Sequence, residues 1–145
     1  MVFMKTTYHY ANAGEKESIG KKITECLSRH SDILFAYLHG SFFESEKFRD
    51  IDIAVYLAGS GQACLQRELA LEEELSRAVK KYRVEVRILN QAPLSFRYNV
   101  IRHGSPVLSR ADERRTDFVE ATLRNYFDFT PFRKMYLKEV LGSGV

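Results

Sequence analysis

The feature that most limits what this chain can fold into is a pair of apolar runs, residues 33–38 and 51–57. Gly40-Ser41 closes the first and Asp50-Ile51-Asp52 opens the second. The first run is apolar without interruption, the pattern of a buried strand, and it leads directly to the glycine. Side chains on a strand alternate between faces, so Asp50 and Asp52 share one face while Ile51, Ile53 and Val55 share the other. Two like charges held this close repel unless a cation lies between them, and hard divalent ions favour carboxylate oxygens. The residues therefore predict a magnesium-nucleotide site where one strand ends and the next begins.

With 145 residues the chain is most simply one domain, 1–145, with a core over about 16–110 and a helical extension over about 111–141. Apolar residues at 45% and charged residues at 28% exclude a disordered or fibrous chain. A net charge of +3 without a long basic block gives no positive case for a nucleic-acid partner. Cys26 and Cys64 fall in helical-looking segments, far apart and without clustered histidine, and read as reduced thiols in the core. Residues 1–15 lack a signal-peptide core and no segment reaches membrane-spanning length, so the expectation is a cytoplasmic protein.

Residues 16–30 carry Ile19, Ile23, Cys26 and Leu27 at helical spacing. Residues 42–49 are polar with aromatic interruptions and leave room for one helical turn. A long helix over 62–81 is supported by Leu71, Leu75, Ala78 and Val79, with Glu72, Glu73 and Glu74 assigned to its solvent side. Residues 83–89 alternate polar and apolar and form a third strand. Pro93 opens a helix to about Arg102, Gly104 ends it, and 106–108 are extended. Residues 111–141 are helical in pattern, and Pro131 predicts two helices or one kinked there.

On the third strand Glu85 and Arg87 share a polar face opposite Val84, Val86 and Ile88. Should that strand pair beside 51–57, Glu85 approaches Asp50 and Asp52, and three carboxylates at one sheet end can hold a pair of magnesium ions bridging the phosphates of a nucleoside triphosphate. Gly40 lets the backbone come close to phosphate, and Ser41 offers a hydroxyl and an amide. Gly59-Ser60-Gly61 lacks the lysine of a Walker loop, which sets the ordinary P-loop reading aside.

Gly40-Ser41, a spacer, then Asp50-Ile51-Asp52, in the order helix, strand, strand, helix, strand with a third acid, resembles the minimal nucleotidyltransferases of the DNA polymerase beta superfamily over about residues 16–90. The segment Arg124-Asn125-Tyr126-Phe127-Asp128-Phe129-Thr130-Pro131-Phe132 resembles the tail of MntA antitoxins, which pair with HEPN-domain HepT toxins. The resemblance implies an α/β (α+β) polymerase-beta-like fold, with a small mixed sheet flanked by helices and further helices at the C-terminus. It also implies transfer of AMP from ATP to a tyrosine hydroxyl of a HEPN toxin in a hetero-oligomer. It carries over Asp50, Asp52 and Glu85 as catalytic metal ligands, and Gly40 and Ser41 as phosphate binders.

Two departures accompany it. Phe43-Glu44-Ser45 replaces the usual small-basic-glycine pattern, placing an acid near the phosphates, and Glu85 stands where aspartate is usual. The altered loop and the small size of the chain motivate one alternative, an antitoxin that acts by binding alone; transfer to a small molecule is a third reading, for which the chain has little room. His39 reads as a packed strand-end residue and stays outside the catalytic set. Tyr126, Phe127, Phe129, Phe132 and Tyr136 read mostly as core, with some left for a partner. Arg110, Arg114, Arg115 and Arg124 read as the wet face of a helix.

Overall fold

The computed structural model describes residues 8–59 and 65–141. In chain order the elements are β1 (His9–Tyr10), α1 (Ala13–Ser28), β2 (Ile33–His39), α2 (Ser41–Glu44), β3 (Lys47–Phe48), β4 (Asp50–Leu57), α3 (Leu65–Val79), β5 (Arg83–Ile88), α4 (Leu94–His103), β6 (Ser105–Ser109) and α5 (Asp112–Leu141). β1 and β3 pair as a small ribbon, and the main sheet runs β5-β4-β2-β6. β2 is antiparallel to both β4 and β6, whereas β4 and β5 are parallel, so the sheet is mixed. The expected α/β class holds, and the third strand lies beside the second.

α1 starts earlier than its apolar spacing indicates, because Asn12 and Glu15 form a capping box. The Asn12 Oδ1 accepts from the Glu15 amide at 2.8 Å, and a Glu15 oxygen accepts from the Asn12 amide at 3.4 Å. The other end of α1 is closed by Arg110, which donates to the carbonyls of Ser28 and His30. Arg115 donates to the Tyr37 hydroxyl at 3.3 Å and to Ser109 Oγ at 3.2 Å. Two of the arginines read as merely wet thus tie elements together; Arg124 pairs with Glu120 along its own helix.

The sheet has a core on each face. Ile51, Ile53, Val55, Val84, Val86 and Ile88 pack with Ile23 and Leu27 of α1 and with Leu71 and Leu75 of α3. On the opposite face Phe35, Tyr37, Ala54 and Leu89 pack with Val100 of α4 and Phe118 of α5. Cys26 is buried as expected, while Cys64 and the helical turn expected at 62–64 lie outside the described residues, as do Ser60 and Gly61.

Of the two arrangements expected at Pro131, α5 takes the single helix. Pro131 and Phe127 are both exposed, so the carbonyl that loses its donor at the proline is on the solvent side, where water can satisfy it. Tyr126 stacks on Tyr98 with centroids 3.7 Å apart, whereas Phe127 and Met135 are exposed; the side chains of Phe129, Phe132 and Tyr136 lie outside the described residues.

Glu72 and Glu74 are not simply on the solvent side of α3. Glu72 accepts from the Val86 amide at 2.9 Å, Glu68 accepts from the Ile88 amide at 2.9 Å, and Glu74 meets His30 Nε2 at 2.6 Å. β5 is an edge strand. Helix residues four apart rise about 6 Å and strand residues two apart about 6.6 Å, so two carboxylates on one helix face match two successive outward amides. The open edge is thereby closed by side chains rather than by another strand.

Candidate active site

The site forms at one end of the main sheet, around the strand junction. β2 ends at His39, and Gly40 turns the chain with φ +79°, a left-handed value that a residue with a Cβ rarely adopts. A Cβ there would also lie 2.2 Å from Asp52 Oδ2. Glycine is thus required both for the turn and for the approach of a carboxylate. Ser41 follows, exposed, as the first residue of α2.

Strand register brings the acids together. Asp52 lies opposite His39 on one side and Glu85 on the other, and Asp50 lies opposite Arg83. Asp52 and Glu85 stand side by side on the parallel strands β4 and β5. Burial first, then the charges of Glu85 and Asp50 and the nearness of the Glu85 carboxyl, push Asp52 up to about 7, against a smaller opposing effect of Arg49. Asp50 lies 3.6 Å from Arg49 Nε, and Glu85 lies 3.5 Å from Arg83. Among the described residues no three acid, histidine or cysteine side chains already close around a common point. Each of the outer carboxylates is instead paired with a flanking arginine.

One wall of the site is aromatic. His39 meets the Phe96 ring edge-on at 5.6 Å, and the Arg87 guanidinium lies 5.0 Å from the same ring. Burial and the nearby Arg87 lower His39 to about 4, so its ring is neutral at ordinary pH, and its Nε2 is buried without a hydrogen-bond partner. A cavity of about 560 Å³ opens beside Glu85, lined in part by Glu68, Glu72, Arg87, Gln91 and Pro93. Sequence reasoning passed over Glu68 and Phe96. The four-residue spacing of Glu68 and Glu72 was the visible signal for the first; nothing local marks Phe96, which the chain reversal after Pro93 brings to the site.

The profile of the family described as polymerase beta, nucleotidyltransferase, matches residues 21–113. The chain belongs to that family. The match to this polymerase beta nucleotidyltransferase family spans Gly40, Ser41, Asp50, Asp52 and Glu85 and stops near the start of α5.

Solved structures with the same fold include a chain from the complex of a tri-AMPylated Shewanella oneidensis HEPN toxin with an MNT antitoxin. It is 21% identical with a TM-score of 0.69, over 88% of this chain and 99% of that one. A chain of a toxin-antitoxin complex with AMP-PNP is 22% identical with a TM-score of 0.70, covering 85% and 98% respectively. A chain of an MntA-HepT toxin-antitoxin complex is 20% identical with a TM-score of 0.68, covering 87% and 99%. No curated protein matches the sequence. Among the described residues no helix is long and apolar enough to cross a membrane.

Proposed function

We propose that this nucleotidyltransferase moves AMP from ATP to a hydroxyl, a tyrosine in the first instance, of a HEPN-type toxin and so acts as its antitoxin. The observation that carries the reading is the convergence of Gly40, Asp52 and Glu85: the Asp52 carboxylate lies against the glycine of the turn on one side and has the third acid as its register partner on the neighbouring strand on the other. The likeness in fold to chains of HEPN/MNT complexes, one of them with a tri-AMPylated toxin, supports the choice of acceptor.

The donor set suits a hard divalent cation. It is all oxygen, and beyond the effect of burial, Asp52 is raised by repulsion from Glu85 and Asp50, which a cation would relieve. Asp50, Asp52 and Glu85 would hold magnesium, which would offset the negative charge that builds in an in-line displacement. Gly40 and Ser41 would bind the triphosphate end. The acceptor oxygen then bonds to the α-phosphorus as the bond to the bridging oxygen breaks and pyrophosphate leaves. Glu85, beside Asp52 on the neighbouring strand, would take the hydroxyl proton.

Labelled ATP, magnesium and a HEPN partner test this directly: label is expected on the partner with the wild type and not with Asp50→Ala combined with Asp52→Ala. The exposed Phe127 and Met135 on α5 favour one other reading, neutralisation by binding alone. In that case the double variant still protects cells from the toxin.

A further inference from the structure

We infer that Lys16 is a positioning residue for the phosphate-binding turn, an inference that rests on the nucleotidyltransferase reading above. α2 is a single turn of four residues, and its N-cap Gly40 provides no side-chain cap. One helical turn does not hold itself, because fixing its first hydrogen bond costs more conformational entropy than the bond returns. Its geometry must be imposed from outside.

Lys16, in the first turn of α1, does this from the end of the turn remote from Gly40. Its ammonium donates to the carbonyl of Phe42 at 2.6 Å and to that of Ser45. These belong to the end of a helix where carbonyls lack internal partners and where a positive charge is favoured. The same Nζ lies 5.3 Å from the Phe42 ring and 5.9 Å from the Phe48 ring, which meet edge-to-face at 4.8 Å and are fully buried. Lys16 is itself fixed, since its amide bonds the Asn12 carbonyl at 3.0 Å next to the capping box. A cation 26 residues from Phe42 in sequence therefore sets the position of the turn that presents Gly40 and Ser41. Phosphate recognition by such a turn depends on donors held in place before the ligand arrives.

The test is a titration of the intact protein with a non-hydrolysable ATP analogue and magnesium, paired with amide hydrogen exchange. Lys16→Met, which keeps the packing stem and loses the donors, is expected to weaken binding about tenfold. Lys16→Arg restores charge and donors and is expected to bind within about twofold of wild type. Exchange at Phe43, Glu44 and Ser45 should quicken in Lys16→Met while β4 amides stay protected. Should Lys16→Met not fold, Lys16→Gln, with neutral donors, is expected to lose about threefold. Wild-type affinity in the variants without the cation overturns the inference, as does equal weakening in Met and Arg variants with equal loss of Tm, which marks a packing role alone. A wild type that does not bind the analogue overturns the nucleotide reading itself, and that result is distinct from either of the others.

Discussion

Gly40 has two separate reasons to be glycine, the φ of +79° and the Asp52 oxygen that would lie 2.2 Å from a Cβ. Gly40→Ala is therefore expected to destabilise the fold by about 1–3 kcal/mol and to lower nucleotide affinity with it, read by urea unfolding and by analogue titration. Asp52 gives a pH signature. Its carboxyl rises from 3.8 to about 7 in the folded protein, so the folded state holds this proton more tightly than the unfolded one. The associated stability is fully present below pH 3.8, declines as pH rises toward about 7, and is level above that. In metal-free protein Asp52→Asn should flatten that decline in a series of unfolding curves, and magnesium should stabilise the wild type more above pH 7 than below it, because the proton must leave before the ion binds. A decline of the same size in Asp52→Asn would place its origin elsewhere.

At the scale of elements, the strand-turn-strand unit was legible because its signals are local: an unbroken apolar run, a glycine, and acids alternating with β-branched residues. The partner of β5 was also legible, since a polar face carrying Glu85 has one obvious neighbour in the face carrying Asp50 and Asp52. The role of Glu68 and Glu72 was not, because a helix carboxylate reads as solvated until the edge strand beside it is known. Glu72→Ala, which leaves the Val86 amide without its acceptor, is expected to cost about 1–3 kcal/mol and to speed exchange at Val86 and not at Val55 in the centre of the sheet. Pro131 left two outcomes open for a related reason: its effect depends on whether the orphaned carbonyl meets water or a packed neighbour, and at an exposed position the helix continues. Pro131→Ala should raise Tm by an amount equivalent to as much as about 3 kcal/mol. A fall in Tm would show that the proline ring makes a stabilising contact.

Across the whole molecule, the sheet is covered on one face by α1 and α3 and on the other by α4 and α5, which leaves the carboxylate end of the second face open. The site thus draws on β2, β4 and β5 for its acids and turn, on α4 for its aromatic wall, and on α1 for the ammonium behind the turn. The composition and the strand motifs identified the class of chemistry; the contributions of α1 and α4 come from long-range packing that no local spacing encodes. The exposed Phe127 and Met135 of α5 lie outside the span matched by the family. The most direct measurement is transfer of label from α-labelled ATP to a purified HEPN partner in the presence of magnesium, comparing wild type with Asp50→Ala combined with Asp52→Ala after circular dichroism has shown both to be folded. Label on the partner with the wild type alone is the expected result; equal label with the double variant, or none with either, contradicts it.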